Sequence, residues 1–185
     1  ATFNNVNAAF SNTTGLLVNQ DVKAKINLPE TLSISLYHEL NPQWAVMADV
    51  TWTNWSRFDE LVIEFEGAQP TQVQPQNWDD SFMYSVGVRY TPTLHWIFRA
   101  GLAYDETPAP SAAERIPRIP DNNRFWIAAG ASYQVNDKIG LDVGYAHLFI
   151  EDVDINNTEV STGHVLTGSF EASVNIFNAQ FNYKF

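Results

Sequence analysis

The chain has 185 residues, a formal net charge of −11 and no cysteine. This length suits one domain of ordinary size, and 10 Lys+Arg against 21 Asp+Glu argue against a polyanionic partner such as nucleic acid. The lack of cysteine fits passage through an oxidising periplasm.

Residues 1–20 are rich in Asn, Thr, Ser and Ala without a sustained period, so 1–21 reads as a loop. From Val22 the apolar residues fall at every second position, the period of a strand with one greasy face. Val22, Ala24, Ile26 and Leu28 share a parity with Leu32, Ile34 and Leu36. That predicts one long strand, bulged or bent at Pro29. Asn41-Pro42 marks a turn. Trp44, Val46, Ala48, Val50 and Trp52 form one face of the next strand, and Leu61, Ile63 and Phe65 extend it.

After a loop through Asp80, Phe82, Tyr84, Val86, Val88 and Tyr90 alternate with Ser81, Met83, Ser85, Gly87 and Arg89. Thr91-Pro92 turns the chain, and Trp96, Phe98, Ala100, Leu102 and Tyr104 alternate with Ile97, Arg99, Gly101, Ala103 and Asp105. Residues 106–123 hold four prolines and no period, which predicts a long loop. Phe125 to Tyr133 and Ile139 to Phe149 then give two more strands about a short turn at Asn136-Asp137. A further loop over 151–167 precedes a last strand ending at Phe185.

Short connections thus alternate with long ones, as periplasmic turns and external loops do in outer-membrane barrels. Several strands carry aromatics at both ends and aliphatics between, as lipid with two polar interfaces requires. A soluble sandwich also alternates; the loop asymmetry and the aromatic ends favour the barrel. The predicted fold is all-β, a transmembrane antiparallel barrel wall of about seven strands over 22–185. No run approaches the roughly 18 apolar residues of a membrane-crossing helix. Ala1–Phe10 has neither the basic start nor the apolar core of a secretory leader.

Phe177, Ala179, Phe181, Tyr183 and Phe185 lie on one face of the closing segment, against Asn178, Gln180, Asn182 and Lys184. Ending on an aromatic after alternating apolar residues resembles the assembly signal of outer-membrane proteins, carried here by Phe181, Tyr183 and Phe185. Such a strand can pair at an open sheet edge and face lipid. Phe170, Ala172 and Val174 have the opposite parity, which predicts a β-bulge near Ile176–Phe177. A last strand ending in the periplasm places the turns at Asn41, Pro92 and Asp137 there and the long loops outside.

Several segments in one order resemble the FadL family of outer-membrane long-chain fatty-acid and hydrocarbon transporters. They are Leu28-Pro29-Glu30, Asn41-Pro42-Gln43-Trp44-Ala45, Thr53-Asn54-Trp55-Ser56 with Phe58, and Phe98 to Asp105 with Thr107-Pro108 and Pro110. Ile119-Pro120-Asp121, Arg124-Phe125-Trp126, Gly130 and the closing Phe181-Asn182-Tyr183-Lys184-Phe185 complete the set, which covers about 22–185. The resemblance implies a fourteen-stranded barrel plugged by an N-terminal hatch. It also implies ligand entry from outside, an apolar pocket and sideways release through the wall. The chain is then expected to be the C-terminal half, with the hatch and the remaining strands preceding it.

By parity Asp49, Arg89, Arg99 and Asp142 face inward, where they would form an ion network in the wall or hold a fatty-acid carboxylate. Asp121 and Arg124 would pair and anchor a loop. Leu61, Ile63, Phe65, Ile116 and Ile119 lie beyond the membrane band and would line an entry groove for an acyl chain or pack external loops together. His38, His95, His147 and His164 are scattered and give no nucleophile–base pair, so no catalytic residue, metal site or cofactor is expected. Glu151, Asp152 and Asp154 read as a solvated acidic loop, or as a bridge to lipopolysaccharide through divalent ions. Expected partners are outer-membrane lipid and lipopolysaccharide, the barrel-assembly machinery and a long-chain fatty acid or hydrocarbon. The function that follows is passive uptake of hydrophobic compounds; the rival is a non-transporting barrel, an adhesin or structural protein.

Overall fold

The computed structural model describes residues 21–109, 111–113, 115, 121–158 and 163–185. The loop expected over 1–21 lies, except for Asp21, outside them, as do Ile116 and Ile119.

The described residues form twelve strands in chain order: β1 (Val22–Lys25), β2 (Thr31–Glu39), β3 (Trp44–Thr53), β4 (Glu60–Phe65), β5 (Gln72–Pro75), β6 (Ser81–Tyr90), β7 (Trp96–Asp105), β8 (Arg124–Gln134), β9 (Ile139–Ile150), β10 (Val153–Thr158), β11 (Val165–Phe170) and β12 (Ser173–Tyr183). Seven form one sheet in the order β12-β9-β8-β7-β6-β3-β2, antiparallel throughout. Its two outer strands, β2 and β12, do not meet, so the wall is open. Three strands, β1-β4-β5, and a hairpin, β10-β11, stand beyond it at the long-loop end.

Local chemistry closes the short turns. Asn41 Oδ1 accepts from the N–H groups of Gln43 at 2.9 Å and Trp44 at 3.0 Å. Asn136 Oδ1 does the same for Lys138 at 2.9 Å and Ile139 at 3.0 Å. Thr93 Oγ1 accepts from Trp96 N–H at 3.2 Å. Side chains of Asn and Thr mimic a turn's backbone acceptor in this way, so each hairpin tightens and its register is set.

Register then sorts the faces. Ala48, Val86, Leu102 and Ile127 stand side by side on the outer face, with Val143 further along it beside Ala131 and Ala179. Val86 and Val143 are 57% and 58% exposed, whereas inward Ala45 is 0% exposed. A continuous apolar face of this size has no place in water, and hydrocarbon is its natural solvent. Aromatic pairs flank it: Trp44 stacks on Tyr90 at 4.3 Å and Trp96 meets Tyr133 at 4.5 Å at the short-turn end. Phe82 with Tyr84 and Phe125 with Phe149 do so at the other end. The inner face carries hydroxyls, glycines and charges over most of the wall, and an apolar patch on β8, β9 and β12 toward the long-loop end.

Two expected details are corrected. The long strand predicted across Pro29 is two strands in different sheets: β1 pairs with β4 and β2 pairs with β3. Five residues, 26–30, separate Lys25 from Thr31, but eight, 54–61, separate their partners Thr53 and Val62. The excess is taken up by the 3₁₀ turn Trp55–Arg57, so the ladder cannot run through. The bulge expected at Ile176–Phe177 is absent, because β12 pairs with β9 step by step from Ser173 to Tyr183. The apolar residues change parity because β12 is apolar on both faces, with Val174 and Ile176 beside inward Leu148 and Ala146 and Phe177 beside outward Tyr145. In addition, the loop expected over 151–167 contains β10 and the start of β11, whose mixed Asn, Thr and Asp content hid the strand period.

Candidate functional site

The inner face has three regions. Along β2 and β3 it is a track of hydroxyls. Ser33 and Thr51 share a hydrogen bond of 2.7 Å, and Asp49 accepts from Ser35 at 2.5 Å and Thr51 at 2.8 Å. No cation sits on Asp49 among the described residues, so it belongs to this track and not to an ion network with the arginines.

Toward the short-turn end two charged groups lie side by side. Arg89 and Arg99 are direct partners across β6 and β7. Arg89 pairs with Glu39 at 3.1 Å, and its guanidinium stands 5.5 Å from the centre of the Tyr37 ring. Arg99 Nη1 donates to Ser132 Oγ at 2.7 Å, and Ser132 donates in turn to Asp142 Oδ1. Asn182 Nδ2 donates to Asp142 Oδ2 at 2.7 Å, and Gln180 Nε2 donates to Asn182 Oδ1 at 2.6 Å. This chain crosses four adjacent strands, β7, β8, β9 and β12. Ser132, Asp142 and Asn182 also line a pocket of about 130 Å³ with Leu94, His95 and Ile97.

Toward the long-loop end, β8, β9 and β12 turn apolar. Trp126 lies opposite Leu148, which is 6% exposed and is followed across the sheet by Val174. Ala128, Ala146 and Ile176 form the next row. Between this patch and Arg99 the floor holds Gly101, Gly130 and Gly144, the last lying under the Asn178 side chain. Above the patch Arg124 bridges Asp105 at 2.9 Å and Asp121 at 3.2 Å. Thr107 Oγ1 donates to Asp121 at 2.7 Å, which ties the Pro-rich loop to the strand start.

Leu61, Ile63 and Phe65 share one side of β4, each half-buried, in the arm β1-β4-β5. An aromatic knot holds the arm's base: Trp78 packs edge-on against Trp55 at 5.0 Å and Phe58 at 5.1 Å. Gln76 is buried below it at 1% exposure. Asp80 accepts from Trp52 Nε1 at 3.0 Å and Ser56 N–H at 3.1 Å, and the Ser56 bonds hold its carboxyl below the usual range. Lys23 meets Glu66 at 2.9 Å, a hydrogen bond that raises its ammonium above the usual value.

Of the residues singled out by parity, Arg99 and Asp142 are brought together through Ser132, Arg89 lies beside Arg99, and Asp49 is separate. The sequence reading missed Glu39, Ser132, Asn182 and Gln180. All four have inward parity, yet their partnership depends on register across strands far apart in the chain. Phe181, Tyr183 and Phe185 are exposed on the outer side of the wall's edge. His147 shares Asn175 Oδ1 with Tyr145 on the outer face, away from His38 and His95. The described residues contain no group of three metal-ligating side chains.

The sequence pattern of the outer membrane protein transport family OMPP1/FadL/TodX matches residues 1–185. The chain belongs to this family. It is 33% identical over 168 residues to a long-chain fatty acid transport protein of Escherichia coli O6:H1, covering 90% of this chain and 36% of that one. A putative outer membrane protein of Neisseria meningitidis serogroup B is 29% identical over 92% of the chain and 39% of its own length. The crystal structure of a Pseudomonas aeruginosa FadL homologue superposes with a TM-score of 0.83 at 28% identity, covering 95% of this chain and 42% of that chain. The Pseudomonas putida toluene transporter TodX shares the fold, with a TM-score of 0.62 at 19% identity.

This FadL-family chain therefore spans roughly two-fifths of the length of such relatives, and its open wall is part of an outer-membrane barrel. Its relatives carry the names of transport and outer-membrane proteins.

Proposed function

We propose that these strands form part of a barrel for passive uptake of long-chain fatty acids or similar hydrophobic compounds across the outer membrane. The observation that carries this reading is the inner face. A wall built only as a scaffold has no need of Trp126, Leu148, Val174 and Ile176 turned inward beside a glycine floor. An apolar ligand gains about 25 cal/mol for each Å² of surface it removes from water there. The short turns lie in the periplasm and the arm β1-β4-β5 outside, where Leu61, Ile63 and Phe65 receive the ligand. Arg124 and Asp121 anchor the adjoining loop. Phe181, Tyr183 and Phe185 guide assembly through the barrel-assembly machinery, and lipid with lipopolysaccharide surrounds the outer face. The relatives named for transport support this reading over an enzyme.

Serine at Leu61, Ile63 and Phe65 together tests the entry role. Uptake of a labelled fatty acid by cells carrying the full-length variant is expected to fall several-fold, with heat-modifiable gel migration unchanged. Unchanged uptake would remove the arm from the route. A well-assembled wild-type protein that moves no hydrophobic compound would favour the structural alternative.

A further inference from the structure

On the inner face Arg99 has no direct carboxylate partner among the described residues, and Asp142 reaches it only through Ser132. The partner of Arg99 in register is another arginine, Arg89, and like charges directly opposite on one face repel. Arg89 is compensated by Glu39 at 3.1 Å. Among the described residues Arg99 has no carboxylate within ion-pair reach, and its one side-chain bond runs to the neutral Ser132. A guanidinium has five N–H donors, so most of Arg99's remain available. Ser132 cannot turn away to serve another group, because its own proton goes to Asp142, whose second oxygen is held by Asn182. Arg99 is thus fixed from one side by a built support and meets no acceptor among the described residues on its open side.

What lies on the open side defines the ligand. Gly130 stands opposite Arg99, with Gly144 beyond it and Gly101 two residues along β7. A Cβ added at Gly144 would stand 2.6 Å from Asn178 Oδ1, so the Asn178 side chain lies over Gly144 and the uncovered floor is Gly130 and Gly101. From Gly130 to Trp126 is four residues of strand, about 13 Å at roughly 3.3 Å per residue. A low floor of Gly130, Gly101 and Ala128 therefore runs from a fixed guanidinium to an apolar patch.

We propose that Arg99 is a carboxylate-binding site on the lumen wall, with Ser132, Asp142 and Asn182 as its positioning residues. The planar fork of a guanidinium takes a carboxylate in a bidentate pair, and the floor leaves room for the group that bears it. The carboxylate belongs either to an amphipathic ligand lying along the floor or to an acidic side chain of the full-length protein beyond these 185 residues. The first source rests on the uptake reading above, and the second does not.

The test uses the full-length protein in detergent, with a fluorescent long-chain carboxylic acid and its methyl ester as probes. If the site serves a ligand, Arg99→Gln lowers affinity for the acid on the order of tenfold and leaves the ester unchanged. Arg99→Lys then recovers part of the preference, and carbodiimide couples its ε-amine to the acid. If the site serves the protein's own carboxylate, the acid-to-ester ratio stays at its wild-type value. Carbodiimide then joins the Arg99→Lys amine to an Asp or Glu beyond residues 1–185, found by mass spectrometry. An unchanged ratio with no coupling, or coupling only to Glu39 or Asp142, overturns the site. A wild-type protein that binds neither probe counts against uptake, and the coupling result still decides the site.

Discussion

Val153 pairs with Phe170 one residue out of step with the ladder beneath it. Phe149 pairs with Ser173, and three residues separate Phe149 from Val153 while two separate Phe170 from Ser173. The extra residue at Glu151–Asp152 reverses which face each side chain takes. It turns Val153 and Ile155 inward to 1% and 3% exposure, as the core of a hairpin outside the membrane wall.

That hairpin is tied to the neighbouring loop, with Asn156 N–H donating to Ala112 O at 2.9 Å and Asn122 Nδ2 to Asp152 O at 2.7 Å. It is expected to open with that loop before the wall does. Ile155→Ala is expected to remove about 2 kcal/mol or more from it. Limited proteolysis of the folded protein should then cut faster between β10 and β11, with heat-modifiable migration of the barrel unchanged. Loss of the migration shift would mean that hairpin and wall unfold together.

The outer face should tolerate charge according to depth. Arg at Val86, Leu102 or Ile127 is expected to destabilise the barrel by about 2–4 kcal/mol, and Arg at Trp96, within an aromatic pair, by clearly less. Urea unfolding of the full-length protein in liposomes measures this. Equal losses at all positions would remove lipid as the solvent of this face.

Asp80 makes the base of the arm sensitive to acid. Its folded carboxyl titrates below the ordinary aspartate value, chiefly through its bonds from Ser56. The sign follows directly: the stabilisation is complete above the ordinary value and is lost as pH falls through the lower folded one. The Trp52 and Trp55 environments should loosen in that acid range, seen as a change in tryptophan fluorescence. Asp80→Asn should abolish the transition, and an identical acid profile in the variant would show that another group causes it.

Orientation in the membrane is testable by labelling. A cysteine at Ala113 should react with an impermeant maleimide on intact cells, and one at Asp137 only after the outer membrane is breached. The reverse pattern would invert the topology.

The seven wall strands were legible from alternation, because hydrocarbon outside and polar groups inside write a period of two into each strand. Their connections were legible too, since Asn41, Thr93 and Asn136 close turns by local bonds. The break at Pro29 was misread because Val22–Leu28 and Leu32–Leu36 share a parity, and no local residue tells that the partner strand inserts a 3₁₀ turn. The shifted register at Glu151–Asp152 escaped for the same reason. In the candidate site, Arg99 and Asp142 were visible as inward charges. Ser132, Asn182 and Glu39 were not, because nothing in composition says which of many inward polar residues become neighbours when strands pair.

The most direct test of the central claim is uptake itself. The full-length protein carrying these strands should be expressed in cells lacking their own hydrophobic-compound transporter and given a labelled long-chain fatty acid. Uptake that rises well above the vector control and falls with serine at Trp126 and Leu148, while gel migration remains that of a folded barrel, is the predicted result. Uptake equal to the control from a correctly assembled protein would contradict it.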